Sequence, residues 1–304
     1  MRRAAAALAG VAMMAGCVGA GPGPVAQAPV GHPRDLPSPL PVLAGTPPRI
    51  EGAAIQGGLV RGTARPGATL TLDGRPVPVA ADGRFILGFD RDAGPAALLV
   101  QRYHGPAGNV LATETMLTVA PRAWRIERVD APYRAGRTDA EFAAARPAEL
   151  AQIVAARAMT TDAAGWRQPL RWPATGRQSG WFGAQRVYQG KPGSYHGGAD
   201  VAVPTGTPVL APADGVVILA TTRPFTLEGN LLMIDHGSGL NSAILHLSRI
   251  DVAVGDHVRQ GQPVARSGAT GRATGPHVHW GLQWMGAKLD PLLVAGTDAD
   301  GKGR

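Results

Sequence analysis

Three short histidine-containing segments in the second half of the sequence have the residue types and spacing to bind a metal ion. They are His196-Gly197-Gly198-Ala199-Asp200, His246 within Leu245–Ser248, and His277-Val278-His279. Alternate residues of a β-strand point to one face and lie about 6.6 Å apart, so both rings of a His-x-His pair can address one small site. His196 and Asp200 would lie about 13 Å apart on a straight strand, but Gly197 and Gly198 allow the chain to bend until both side chains converge.

Two imidazoles and one carboxylate form a ligand set that is found in catalytic zinc sites, where the fourth position is left for water. Zinc lowers the pKa of such a water toward ~7, which gives hydroxide at neutral pH. Redox-active iron uses a similar set, so ligand type alone leaves the metal open. A single His-x-His is usually incidental, whereas both motifs in order, with His246 between them and glycines around them, favour a metal site.

A longer series of motifs surrounds these histidines between about Gly180 and Leu292. It consists of Ser179-Gly180-Trp181-Phe182-Gly183, His196-x-x-x-Asp200, residues 202–209, Gly229-Asn230, Ile234-Asp235-His236-Gly237, His246-Leu247-Ser248, Gly255-Asp256-x-Val258, Gly261-Gln262, Thr270-Gly271 and residues 274–279. In order and spacing this series resembles the LytM/lysostaphin-type zinc metallopeptidases of bacterial cell walls.

The resemblance assigns roles to five side chains. It implies that His196, Asp200 and His279 bind one zinc ion per chain. It also implies that His246 and His277, beside those ligands, handle protons and stabilise the oxyanion. The implied reaction is hydrolysis of peptide bonds in the stem peptides or cross-links of peptidoglycan.

Four further residues near the motifs carry weaker signals. Ile244 lies where many members of that family have a tyrosine, so substrate contacts there are expected to differ. His236 and His257 lie on predicted turns, where surface positions are expected. Tyr195, next to His196, can contact substrate or simply pack, and the sequence leaves both interpretations open.

The first seventeen residues have the features of a lipoprotein signal. Arg2 and Arg3 precede an apolar segment, 4–15, that is too short to span a bilayer. Met14-Ala15-Gly16-Cys17 resembles a bacterial lipobox, in which the cysteine becomes a lipidated N-terminus. Because Val18 is not the aspartate of inner-membrane retention, the resemblance implies an exported protein on the periplasmic side of the outer membrane. An ordinary signal peptide that removes Cys17 is the alternative, but a lone cysteine cannot form an internal disulfide.

The rest of the sequence divides into five segments, and the expected fold is mainly all-β. Residues 18–48 are rich in Pro, Gly and Ala and predict a semi-rigid tether. Residues 49–121 show short alternating strands, with a hairpin signal at Asp73-Gly74, and predict a small Ig-like β-sandwich. Residues 122–168 predict a short helical connector, with a helix start at the capping box of Thr138 and Glu141 and a second helix from Pro147 to about Met159. Residues 169–295 predict an antiparallel β metallopeptidase domain, and 296–304 a disordered tail.

Charge adds a weak indication of the partner. The net charge is +8, but the basic residues are scattered without a dense run, which favours an acidic polymer such as cell wall and argues against nucleic acid. The sequence therefore predicts a zinc-dependent endopeptidase of peptidoglycan. Two alternatives are a non-catalytic LytM-type activator of other wall hydrolases and a scaffold lipoprotein that binds the wall through residues 49–121.

Overall fold

The computed structural model describes residues 45–129 and 140–296 of the 304-residue chain. The predicted signal with its lipid anchor on Cys17, almost all of the predicted tether and nearly all of the predicted tail lie outside these residues. Within them, no helix combines the length and the apolar character that crossing a membrane requires.

Residues 49–118 form seven strands in two antiparallel sheets. The strands are β1 (Arg49–Glu51), β2 (Leu59–Thr63), β3 (Thr69–Leu72), β4 (Arg75–Val77), β5 (Arg84–Gly88), β6 (Ala96–His104) and β7 (Val110–Thr118). One sheet has the order β1-β2-β5 and the other β4-β3-β6-β7. Alternate apolar side chains such as Phe85, Leu87 and Leu99 are fully buried. All seven strands lie within residues 49–121, the segment predicted as a small β-sandwich, and we refer to this segment as the β module.

The hairpin between β3 and β4 shows how local sequence sets this fold. Its two-residue loop is Asp73-Gly74, and both residues have positive φ, at 48° and 78°. A type I′ turn requires that backbone, which asparagine, aspartate and glycine tolerate best. The Asp73 carboxylate also accepts a hydrogen bond from Leu98 N–H at 2.8 Å, so the turn is joined to β6.

The connector contributes a strand as well as a helix. Its elements are β8 (Ile126–Val129), α1 (Ala140–Ala158) and a short 3-10 helix at Gly165–Arg167. A helix beginning at Pro147 is predicted from the sequence, and this start is wrong, because α1 contains the proline in its interior. Arg146 makes two hydrogen bonds to the Glu228 carboxylate, at 2.6 and 2.8 Å. Glu149 accepts hydrogen bonds from the Thr226 N–H and hydroxyl, at 2.6 and 2.7 Å. These contacts on both sides of the proline outweigh its missing N–H group.

Residues 177–289 form the sheets that carry the histidine motifs. Their strands are β9 (Arg177–Gly180), β10 (Gln185–Tyr188), β11 (Lys191–Pro192), β12 (Ala199–Ala202), β13 (Pro208–Leu210), β14 (Gly215–Ala220), β15 (Asn230–Gly237), β16 (Leu240–Leu247), β17 (Arg249–Ile250), β18 (His257–Val258), β19 (Pro263–Arg266), β20 (Val278–Trp284) and β21 (Ala287–Leu289), and helix α2 (Pro291–Ala295) follows. The main sheet has the antiparallel order β18-β14-β15-β16-β20-β12-β9, and β21 also pairs with β20. A smaller sheet has the order β13-β19-β17, and β10 pairs with β11 and, in parallel, with β8.

The β module and the C-terminal sheets share one hydrophobic core. A continuous cluster of buried apolar side chains includes Phe85 of the module and Trp280 of β20. At the boundary, Arg122 forms an ion pair of 2.8 Å with Asp290, whose side chain is only 5% exposed. Asp290 N–H donates to Gly57 O at 2.7 Å. The module is therefore packed against the C-terminal sheets as part of one body.

We expect Glu149→Gln to destabilise the fold near neutral pH and to lose this effect in acid. Burial raises the pKa of Glu149, but hydrogen bonds from Thr226 and Arg146 lower it by more, so its pKa lies below the ordinary value. Such a group stabilises the folded state fully above the unfolded pKa of about 4.3, and less as the pH falls through the folded pKa. Denaturant titration should show a loss of about 1–3 kcal/mol near neutral pH that shrinks below about pH 4.

Glu127→Gln is the matched control for this measurement. Glu127 also pairs with an arginine, Arg186, at 2.7 Å, but its side chain is 61% exposed. Exposed pairs contribute little to stability, so this variant should unfold like the wild type at each pH. A Glu149→Gln deficit that is the same in acid as at neutral pH would contradict the linkage.

Candidate metal centre

Strands β12 and β20 bring two of the predicted ligands together. They pair antiparallel with Asp200 directly opposite His279, and side chains of opposed residues lie on one face of a sheet. His196 lies just before β12, and its backbone is hydrogen-bonded to the loop of residues 181–184. Its N–H donates to Ala184 O at 2.8 Å, and its carbonyl accepts from Gly183 N–H at 2.9 Å. The third side chain is therefore positioned by a loop and not by the sheet.

The ligand atoms of these three residues lie at nearly equal separations. His196 Nε2 is 3.1 Å from Asp200 Oδ1 and 3.0 Å from His279 Nδ1. His279 Nδ1 is 2.8 Å from Asp200 Oδ1. Zinc with bonds of about 2.0–2.1 Å in a tetrahedron separates its ligand atoms by roughly 3.3 Å, so small movements of the side chains would accommodate the ion. The predicted set is brought together, and its geometry and donor types fit zinc.

The protonation of the site also suits a cation. His196 Nδ1 is 3.0 Å from Trp181 O. A carbonyl can only accept a hydrogen bond, so Nδ1 carries the proton and Nε2 presents its lone pair to the cluster. Burial raises the pKa of Asp200, but the neighbouring rings of His196 and His279 lower it by more, and its pKa lies well below its usual range. The third ligand is thus a carboxylate with a full negative charge.

Gly198 allows a close approach of β20 to the cluster. Gly197 and Gly198 are predicted to let the chain bend until His196 and Asp200 converge, and these two side chains lie 3.1 Å apart without a positive φ at either glycine. A Cβ on Gly198 would overlap the Trp280 carbonyl and lie 2.7 Å from His279 Nε2. Gly198 is therefore needed because β20 lies against it.

His246 and His277 lie beside the ligand set. Their ring centroids are 4.7 Å apart, and His277 Nε2 is 3.9 Å from Asp200 Oδ1. His246 Nδ1 is 2.9 Å from Thr270 O, and His277 Nδ1 is 2.8 Å from Gly275 O. Both rings thus repeat the arrangement of His196, with Nδ1 bonded to a carbonyl and Nε2 available. Burial lowers the pKa of His246 to about 4, and the neighbouring histidines add to this effect.

The backbone of His246 breaks the alternation of β16. Its φ is 63°, in the left-handed region that non-glycine residues rarely adopt. Leu245 and His246 consequently both line the same groove, whereas successive strand residues normally face opposite sides. Strain of this kind costs of order 1–3 kcal/mol and is concentrated at functional sites. Ile244 lies on the other face, fully buried in the core, so this residue itself makes no contact with a substrate.

Two cavities meet at the ligand cluster. One has a volume of about 540 Å³ and includes Ile153 and Arg157 of α1 in its wall. The other, of about 990 Å³, is bordered by the segment from Arg125 to Glu127 and by Trp181. The residues that line both are Ser194, Tyr195, His196, Asp200 and Arg272. Together the two cavities form a groove that includes the ligand cluster in its wall.

The remaining histidine and tyrosine predictions have different outcomes. The surface position predicted for His236 is wrong. The residue is in β15 and fully buried, with Nδ1 2.9 Å from Asp214 O and Nε2 2.8 Å from Ser242 Oγ. His257 is exposed. Tyr195 both packs and lines the groove, since its hydroxyl donates to Asp90 at 3.3 Å.

The carbonyl partners of His246 and His277 have no assigned role in the sequence-based prediction. Thr270 accepts from His246 through its carbonyl, and its hydroxyl accepts from Asn230 N–H at 2.9 Å. The motifs Gly229-Asn230 and Thr270-Gly271 are therefore in contact and jointly support His246. The two motifs are visible in the sequence, but any residue type can supply a backbone carbonyl, so the sequence does not reveal which carbonyl accepts a hydrogen bond from a histidine ring.

Comparison with known proteins agrees with this geometry. Residues 194–291 match the sequence profile of Peptidase family M23. The peptidoglycan DD-endopeptidase ShyA of Vibrio cholerae is 46% identical over 97 residues, which are 32% of this chain and 22% of that protein. The DD-carboxypeptidase/endopeptidase Mpg of Neisseria meningitidis serogroup B is 41% identical over 100 residues, or 33% and 23% of the two chains. This chain thus spans less than a quarter of the length of these relatives.

A solved structure extends the likeness beyond the catalytic region. The crystal structure of a candidate M23 peptidase from Pseudomonas aeruginosa has a TM-score of 0.59 and 28% identity, covering 80% of this chain and 95% of that one. Sheet and site together define a domain of antiparallel strands around a candidate metal centre. The match of residues 194–291 to Peptidase family M23 agrees with the family resemblance of the motifs.

We expect Gly180→Ala to weaken zinc binding although it removes no ligand. Gly180 is paired with Asp200 across β9 and β12, and an added Cβ would overlap Asp200 Oδ2. Disturbing the support of a ligand typically costs ~10–100-fold in metal affinity. Competition with a chromogenic chelator measures the affinity, and elemental analysis should find about one zinc ion per wild-type chain.

Gly94→Ala is the control, because the nearest atom to a Cβ there is 4.0 Å away. It should bind zinc as the wild type does. His196→Ala and Asp200→Ala should lose the ion. Equal zinc affinity in Gly180→Ala and Gly94→Ala would contradict the steric argument. Full zinc content in both His196→Ala and Asp200→Ala would show that these residues do not bind the ion.

Proposed function

We propose that this protein is a zinc-dependent endopeptidase that hydrolyses peptide bonds in the stem peptides or cross-links of bacterial peptidoglycan. The observation that carries the proposal is the complete cluster of His196, Asp200 and His279, with His246 and His277 beside it, in a groove of an M23 domain. The names of the relatives, peptidoglycan DD-endopeptidase and DD-carboxypeptidase/endopeptidase, support the substrate.

The side chains divide the chemistry between them. His196, Asp200 and His279 would hold the zinc ion, which supplies a water of lowered pKa and polarises the scissile carbonyl. Both Nδ1 atoms of His246 and His277 already donate to carbonyls, so proton movements take place at their Nε2 atoms. One ring accepts the proton of the attacking water. The other donates to the oxygen that gains negative charge.

The charge of the groove is consistent with an acidic peptide. Besides Asp200, the charged residues of the first cavity are Arg157, Arg272, Lys288 and Glu228, and those of the second are Arg125, Arg186, Arg272 and Glu127, so basic side chains outnumber acidic ones. Stem peptides of peptidoglycan carry free carboxylates, and a groove lined by basic side chains raises the local concentration of such a substrate.

The two alternatives from the sequence have less support. A non-catalytic activator of other wall hydrolases has no need of the ligands, and here all three ligands and both neighbouring histidines are in place. A scaffold that binds the wall through an independent β module is not favoured, because the module shares its core with the C-terminal sheets.

We expect His246→Ala and His277→Ala each to keep zinc while losing most wall-hydrolysing activity. General acid–base help is typically worth ~10²–10⁴ in rate, and an oxyanion donor contributes a similar factor. Zinc content and the release of soluble products from purified peptidoglycan should be measured on the same preparations, with mass spectrometry to identify the bond that is cut.

His257→Ala is the control, because His257 is an exposed histidine of the same domain and its loss should change neither readout. Wild-type activity in His246→Ala would exclude the mechanism. Fully zinc-loaded wild-type protein that releases no product would favour the activator.

We also propose that the protein is exported and anchored on the periplasmic side of the outer membrane through a lipid on Cys17. The basic start, the short apolar segment and Gly16-Cys17 support this, and Cys17 is the only cysteine in the chain. Labelled fatty acid should therefore enter the wild type and not Cys17→Ala, which should leave the membrane fraction or remain unprocessed.

Val18→Asp provides the matched control for the anchor. It should keep the lipid and shift the protein to the inner membrane in a density gradient. A Cys17→Ala variant that is processed and associates with the membrane as the wild type does would contradict the anchor.

A further inference from the structure

Arg91, at the end of the β module nearest the metal centre, has a buried guanidinium group that reaches into the C-terminal domain. The residue is 6% exposed. Its Nε donates to Gly183 O at 3.1 Å, and its Nη2 donates to Gln185 Oε1 at 3.0 Å. Its Nη1 bonds Asp92 at 2.7 Å. A buried charge is costly unless it is paired and hydrogen-bonded, and two of the three donor nitrogens are used on residues more than ninety positions away.

The same guanidinium group contacts two aromatic rings. Its Cζ is 4.7 Å from the centroid of Tyr195 and 5.3 Å from that of Trp124. Such contacts between a cation and a ring add attraction that grows as the pair is desolvated. Arg91 therefore touches both Gly183 and Tyr195, which approach His196 from two different parts of the chain.

The loop that Arg91 contacts makes three hydrogen bonds with His196. Gly183 N–H and Ala184 O bond the backbone of His196 at 2.9 and 2.8 Å, and Trp181 O accepts from its ring at 3.0 Å. His196 is the ligand that lies outside the main sheet, so these bonds set the position and the tautomer of its ring.

Asp90, the neighbour of Arg91, contacts the segments next to two ligands. Its Oδ1 accepts from the Tyr195 hydroxyl at 3.3 Å, beside His196. Its Oδ2 accepts from Lys288 N–H of β21 at 2.8 Å, and β21 pairs with β20, the strand of His279. The two residues are thus joined to the segment before His196 and to the strand that pairs with β20.

We propose that Arg91 is a positioning residue of the metal centre. Through Arg91 the β module fixes the 181–184 loop, and this loop in turn fixes the ring of His196. The proposal rests on the proposed zinc site, and it gives the β module a part in metal binding without any contact with the ion. Ligand rings need to be held within about 0.5 Å of their productive position, and partners that orient them typically contribute ~10–100-fold to metal affinity.

The test compares Arg91→Ala with Arg61→Ala in the full-length protein. Arg61 is also an arginine of the β module that donates to carbonyls of the C-terminal half, at 2.9 Å to Gln168 O and 3.4 Å to Trp166 O. It therefore controls for a general loss of packing between the two regions. Zinc affinity is measured by chelator competition, and unfolding is measured by denaturant titration. Amide hydrogen exchange is measured on the metal-free proteins.

We expect Arg91→Ala to bind zinc ~10-fold more weakly and to exchange the amides of Gly183 and His196 faster. Arg61→Ala should unfold more easily but match the wild type in zinc affinity and in both amides. Arg91→Lys should resemble Arg91→Ala, because an ammonium group cannot make the forked contacts. Wild-type affinity in Arg91→Ala, or equal weakening in Arg61→Ala, would overturn the proposal.

The exchange measurement separates this proposal from the zinc site itself. If the wild type binds no zinc, the proposed function fails. The positioning role is then decided by the amides of Gly183 and His196 alone, and exchange equal to the wild type in Arg91→Ala would overturn it.

Discussion

Antiparallel pairing of β12 with β20 places Asp200 opposite His279, and the rest of the site is arranged around this pair. Both strands lie inside the main sheet, so their backbones are fixed by neighbours on each side. The fit around the pair is close, because Gly180 of β9 and Gly198, just before β12, leave no room for a Cβ. His196 has no such strand around it, and its position depends on hydrogen bonds from the 181–184 loop.

The same hydrogen bond, from a histidine Nδ1 to a backbone carbonyl, orients three rings at this site. His196, His246 and His277 each have Nδ1 within 3.0 Å of a backbone carbonyl, so each presents Nε2. Carbonyls of fixed loops suit this purpose, because they accept a hydrogen bond but cannot donate one, and they allow only one neutral tautomer. The positive φ of His246 belongs to the same design, since without it the ring would lie on the wrong face of β16.

The metal-ligand residues could be predicted from the sequence because their side chains have a distinctive chemistry. The groups that hold them in place could not, because many of these groups are backbone carbonyls. The ligand residues have types that few other roles require, and Asp73-Gly74 requires its turn for steric reasons. By contrast, Pro147 suggested a helix start because its tertiary contacts on either side are invisible in a local pattern. His236 suggested a surface turn because neither the Asp214 carbonyl nor the Ser242 hydroxyl is marked by its neighbours in sequence. The contact of Arg91 with Gly183 spans 92 residues, a distance over which periodicity carries no information.

The core shared by the β module and the C-terminal sheets bears on how such proteins can be recombined. Modules that are joined only by a linker and share no interface can be exchanged by changing the chain at the linker. Here an exchange would have to reproduce the continuous apolar cluster that contains both Phe85 and Trp280. It would also have to restore the ion pair of Arg122 with the 5% exposed Asp290. A C-terminal domain transplanted without the module would therefore expose apolar surface that is buried here.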